Sequence, residues 1–87
     1  MLTCFELEPK SEIPLHSHVH EQVGICLAGK IEFQGENQKV VIMPKDVYVF
    51  YSNEKHGGRV MGEEKVVLLE TFSPPRQDYL ALFTKEP

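Results

Sequence analysis

Eighty-seven residues suffice for one small domain with one modest core, and an apolar content of 41% is that of a globular chain rather than a disordered one. Nine basic against thirteen acidic residues leave a net charge of −4, which argues against nucleic-acid binding but leaves room for a small anionic ligand in a locally positive pocket. No apolar stretch approaches the ~18 residues of a membrane span, no basic segment followed by an apolar one opens the chain, and Cys4 and Cys26 make neither a disulfide framework nor a Cys-x-x-Cys pair, so the expectation is a cytoplasmic protein without a membrane partner.

In chain order, the sequence predicts short strands separated by turn signals. Thr3–Glu8 alternates Phe5 and Leu7 with polar neighbours, and Pro9-Lys10-Ser11-Glu12 reads as a turn. A histidine-rich segment follows Pro14. Gln22–Leu27 is apolar and β-prone, with Cys26 a packed thiol rather than a ligand or nucleophile. Ala28-Gly29-Lys30 is a tight turn, Ile31–Gln34 alternates, Gly35-Glu36-Asn37-Gln38 closes a hairpin, and Lys39–Met43 returns. After the turn at Pro44-Lys45-Asp46, the β-branched and aromatic run Val47–Tyr51 is a strong strand signal. Ser52–Lys55 is a loop in which Asn53 tolerates a left-handed conformation. Arg59-Val60-Met61 leads into a turn at Gly62-Glu63-Glu64, and Lys65–Phe72 reads as a buried strand. Ser73 is placed to cap a short helix from Pro74, with Tyr79, Leu80 and Phe83 on one face. Many short strands with Gly and Pro turns point to an all-β sandwich or barrel forming a single domain over 1–87.

The segment His16-Ser17-His18-Val19-His20-Glu21-Gln22 holds three of the four histidines at alternating positions. On a strand, that spacing would set His16 and His18 side by side on one face, with Gln22 on the same parity. Paired imidazoles are common transition-metal ligands, and His56 offers a remote donor that would tie the site to the fold. His20 shares the parity but reads as a neighbour of the site or a solvent-facing ring. Tyr48, Phe50 and Phe72 read as core rather than pocket lining.

The spacing resembles the two motifs of the cupin family. His16-x-His18, three residues, Gln22, six residues, Gly29 matches the first motif, with Gln22 where Glu is usual and Lys10 where the motif opens on Gly. The second keeps its spacing from Lys45 through Tyr51-x-Asn53 to His56, and of its named residues only His56 is present. Lysine thus stands twice where the family has a turn glycine. The resemblance implies a double-stranded β-helix, or jelly-roll barrel, with a short C-terminal helix. His-Ser-His-Val-His-Glu-Gln at 16–22 and Phe72-Ser73-Pro74-Pro75-Arg76-Gln77-Asp78-Tyr79 more narrowly resemble the small cupins known as pectin-degradation proteins, which use Gln as the third ligand and linearise unsaturated uronates. Family members usually carry an additional strand before the region matching Leu2.

The resemblance implies His16, His18, Gln22 and His56 as ligands of one divalent transition metal, with zinc, nickel, iron and manganese all suited to such donors. It implies Glu70, where Asp is usual, as the proton-handling residue and Arg76 as a clamp for a substrate carboxylate. The residues agree in part, since Glu70 shares parity with Leu68 and Phe72 and so points inward; a strand-end Glu reaching water or an ion pair is the alternative. The expected partner is a small molecule, an anionic sugar in this reading, and open strand edges on a small core predict a homodimer. A metal-dependent dioxygenase and a non-catalytic sugar- or metabolite-binding module are the other function classes the pattern allows.

Overall fold

Alternation of apolar and polar residues gives this chain one buried and one exposed face per strand, and two sheets meet over the buried faces. The computed structural model describes residues 1–73. They form β1 (Leu2–Leu7), β2 (Glu12–His16), β3 (Glu21–Ala28), β4 (Lys30–Gln34), β5 (Lys39–Ile42), β6 (Val47–Phe50), β7 (His56–Met61) and β8 (Val66–Ser73). The helix expected from Pro74, and Arg76 with it, lie outside the described residues.

The first sheet has the order β1-β8-β3-β6 and the second β2-β7-β4-β5, every pairing antiparallel. This is the all-β double-sheet barrel expected from the sequence. Cys26, Ile31, Phe33, Ile42, Tyr48, Val60, Val66 and Leu68 fill the space between the sheets, and Phe5, Leu7, Ile13 and Phe50 close its margins. Cys26 is fully buried and its thiol donates to the Ala28 carbonyl at 3.3 Å, so it packs as expected. Burial pushes its pKa up, which keeps it an inert thiol. β8 is not uniformly buried: Val66, Leu68, Glu70 and Phe72 point inward while Val67 and Leu69 are half-buried on the outer face.

The turns explain how lysine replaces glycine. Ser11 N–H donates to the Glu8 carbonyl and Asp46 N–H to that of Met43, each spanning a four-residue turn with Pro second and Lys third. Lys10 has φ 68° and Lys45 has φ 79°, so both occupy the left-handed region that a type II turn requires at its third residue. Asn53 does the same at φ 63°, as the sequence predicts. The turn geometry survives the substitutions at a cost of roughly 1–2 kcal/mol per lysine.

Two expectations need correction. Glu12 begins β2 rather than ending a turn. β7 starts at His56 and carries Gly57 and Gly58 within it. A Cβ on Gly57 would lie 2.7 Å from the Ile13 carbonyl oxygen, so the close approach of β2 and β7 there requires glycine. The histidine segment does not run as one strand: β2 ends at His16, and 17–20 bend before β3 begins. Side-chain alternation therefore does not bring His16 and His18 together.

Candidate metal centre

Backbone hydrogen bonding, not strand parity, assembles the histidines. His16 and His56 are cross-strand partners of β2 and β7, next to an irregularity in register between Ile13 and His16. The bend carrying His18 is stapled to the Tyr51–Glu54 turn: Asn53 N–H donates to the His18 carbonyl at 2.7 Å, and Ser52 Oγ donates to the Val19 carbonyl at 2.6 Å. That turn leads directly into His56. The left-handed Asn53 thus serves both halves of the site.

The three rings share one hydrogen-bonding scheme. His16 Nδ1 lies 2.7 Å from the Pro14 carbonyl, His18 Nδ1 3.0 Å from that of His20, and His56 Nδ1 2.9 Å from that of Glu54. A carbonyl accepts only, so each contact assigns the proton to Nδ1 and leaves the Nε2 lone pair for a ligand. One nitrogen from each of His16, His18 and His56 lies within 4.8 Å of the other two. Ring centroids of His16 and His18 stand 4.5 and 5.0 Å from that of His56. Phe50 stacks on the His56 ring at 4.2 Å and 6°, fixing its plane.

Gln22 completes the set from the opposite sheet. It is buried on β3, where its Nε2 donates to Glu70 Oε2 at 2.8 Å. That bond turns its Oε1 toward the histidines, 3.2 Å from His18 Nε2. With the His18 proton on Nδ1, two acceptors face each other across this gap, an arrangement that a cation between them makes favourable. The donor set therefore fits a divalent metal, held by three imidazole nitrogens and one amide oxygen drawn from both sheets.

Protonation of the site is opposed by the fold. His56 is held below its ordinary pKa chiefly by burial, with the neighbouring His16 and His18 adding to the effect and the Glu54 carbonyl opposing it. Neutral imidazole is the ligating form, so the burial that depresses His56 favours metal binding.

Glu70 is 4% exposed and faces the interior, as its parity predicts, rather than reaching water. Its Oε2 also accepts a short hydrogen bond from the Tyr48 hydroxyl. Burial and the Glu70 carboxylate push the Tyr48 pKa well above the usual phenol range, so the hydroxyl remains a donor. His16, His18, Gln22, His56 and Glu70 all border one cavity of about 140 Å³. Phe50 and Phe72 line it as well, so these two aromatics belong to the pocket and not to the core alone. His20 stays outside the cluster: its ring lies 5.6 Å from that of His18 and 6.4 Å from that of Phe72, and its carbonyl orients His18.

The Tyr48–Glu70 contact had no place in the sequence reading. The one signal for it was Gly24, a glycine in the middle of an apolar strand. Gly24 pairs with Tyr48 on one side and Glu70 on the other, and a Cβ there would sit 2.4 Å from Tyr48 Cζ. The missing side chain lets Tyr48 cross β3 to reach Glu70.

Residues 3–72 match the cupin domain family. The chain is 36% identical over 81 residues to the pectin degradation protein KdgF of Dickeya dadantii, spanning 92% of this chain and 73% of that protein. The structure of KdgF from Halomonas sp. superposes with a TM-score of 0.81 at 28% identity, covering 92% of this chain and 74% of that one. A shorter match, 34% over 65 residues, relates 75% of this chain to 28% of the H2HPP isomerase of Bacillus subtilis.

Proposed function

This chain belongs to the cupin domain family, and from that premise we propose that it is a metal-binding cupin acting in pectin degradation, where it linearises unsaturated uronates. The observation that carries the reading is the meeting, at one cavity, of three imidazoles whose Nδ1 atoms face backbone carbonyls, an amide oxygen and the buried carboxylate of Glu70. Similarity to KdgF, a pectin degradation protein in Dickeya dadantii, supports a pectin-derived substrate.

His16, His18, Gln22 and His56 hold the metal, which supplies Lewis-acid polarisation of a substrate oxygen when bound. Phe50 and Phe72 give the cavity apolar walls that exclude water from the reacting atoms. Glu70 moves the proton. It takes the proton from the anomeric hydroxyl as the ring C–O bond breaks to give an aldehyde. The enolate released at the former ring oxygen is then protonated at carbon to give the ketone. The product is an isomer of the substrate, so no co-reactant is needed. Arg76, outside the described residues, is the proposed clamp for the uronate carboxylate.

The reading includes a homodimer. Leu2, Val23, Leu27, Val47 and Val49 are exposed on the outer face of the first sheet, where a water-facing antiparallel sheet is ordinarily polar. A second copy related by a two-fold axis would cover this face with the same face.

The test of activity is NMR of an unsaturated uronate with and without metal-loaded protein. Acceleration by wild type, reduced about 100-fold or more in Glu70→Gln, is expected. No acceleration by the loaded protein would favour the non-catalytic binding module instead.

A further inference from the structure

The common cupin ligand at position 22 is a carboxylate, and this chain has an amide. The structure supplies a reason within its own interior. Position 22 faces Glu70 at 2.8 Å, and Glu70 is buried and already accepts from Tyr48. A residue placed against that carboxylate must donate to it and, in the same side chain, present an acceptor to the histidines. An amide does both; a carboxylate at position 22 would set oxygen against oxygen.

We propose that Glu70, anchored by the Tyr48 hydroxyl through the gap left by Gly24, is the positioning residue that dictates an amide at position 22 and turns its oxygen toward the metal. Two donors converge on Glu70. Tyr48 O–H donates to Glu70, the same carboxylate oxygen accepts from Gln22 Nε2, and Gln22 Oε1 is left facing His18. Glu70 reaches Gln22 diagonally on the neighbouring strand β3, beside Gly24, which contributes no side chain to intervene. The proposal deepens the metal-site reading and does not depend on which substrate the cavity takes.

Exchanging the two groups tests it. In the double variant Gln22→Glu/Glu70→Gln, the amide introduced at position 70 accepts from Tyr48 and donates to the carboxylate introduced at position 22; the bond between positions 22 and 70 is kept with its direction reversed, and position 22 again presents an oxygen to the histidines. Apoprotein of each variant is titrated with cobalt(II), and both affinity and the visible d–d spectrum are read. Gln22→Glu is expected to lose cobalt affinity by about 10-fold or more, the range of effects for groups that orient metal ligands. The double variant is expected to return to within about threefold of wild type. Tyr48→Phe removes only the hydroxyl; it should weaken cobalt binding several-fold and alter the spectrum, with a cooperative thermal unfolding transition in chelator as the control for folding. Equal cobalt affinity in Gln22→Glu and wild type, or a double variant no better than the single one, overturns the proposal. If Gln22→Glu does not fold, Tyr48→Phe decides alone: wild-type affinity and spectrum overturn the proposal. A cobalt result in favour combined with no effect on uronates would leave this inference standing and remove the substrate reading.

Discussion

His56, one of the four proposed ligands, is kept neutral by its burial in the fold. In the unfolded chain it titrates near its ordinary value of 6.5, and in the folded chain below that. Between the two values the unfolded state binds more protons, so stability rises with pH across that window and falls as acid carries the solution below about 6.5. The urea midpoint of apoprotein should therefore decline on acidification from pH about 7.5 to about 5, and the decline should be shallower in His56→Gln. An equally steep decline in that variant would assign the effect to other groups. Which side chains meet was legible from the sequence in part. His16, His18 and His56 converge in space, and Glu70 turns inward as its parity with Leu68 and Phe72 required. Tyr48 was not readable as more than core, because an aromatic in a β-branched run looks the same whether or not its hydroxyl finds a buried carboxylate.

At the scale of elements, the turns carry stored strain that can be released. Lys45 sits at φ 79° in a turn fixed by the Met43–Asp46 bonds, where glycine has no steric penalty. Lys45→Gly should stabilise the protein by roughly 0.5–1 kcal/mol, the left-handed penalty less the added entropy of the unfolded glycine, measured as a shift in urea midpoint at constant m. A loss of stability would mean that the lysine side chain makes a compensating contact. Gly24→Ala should act in the opposite sense. Its Cβ would meet Tyr48 at 2.4 Å in a packed interior, a cost of about 1–3 kcal/mol. Strand existence was legible because alternation is a strong signal, as in Phe5 and Leu7 on β1 or Gln22 and Cys26 on β3. The path of the histidine segment was not. Alternating polar residues fit a strand and a bend equally well, and what decides between them is the bonding of the His18 and Val19 carbonyls to a turn more than thirty residues away. Gly57 and Gly58 carried no reading in the sequence for a related reason: the close passage of the neighbouring strands is what explains glycines inside β7.

For the whole molecule, the proposed ligands bridge the two sheets, with His16 and His56 on one and Gln22 on the other. A metal there ties the sheets together and binds the folded chain alone, so its removal by chelator should lower the melting temperature, and saturation at about 100 times Kd corresponds to about 2.7 kcal/mol. The apolar outer face of the first sheet belongs to this scale as well. Light scattering at micromolar concentration should give twice the chain mass, and Val49→Lys, which sets a charge on that face, should shift the mass toward one chain; a wild-type monomer would contradict the dimer. No helix among the described residues is long and apolar enough to cross a membrane. The central claim remains the four-ligand centre, on which both the proposed chemistry and the role of Glu70 depend. Zinc titration of tag-free apoprotein by isothermal calorimetry tests it most directly. One zinc per chain is expected in wild type, and loss of that site in His56→Ala. Wild-type stoichiometry in His56→Ala, or no zinc bound by the wild-type chain, would contradict it.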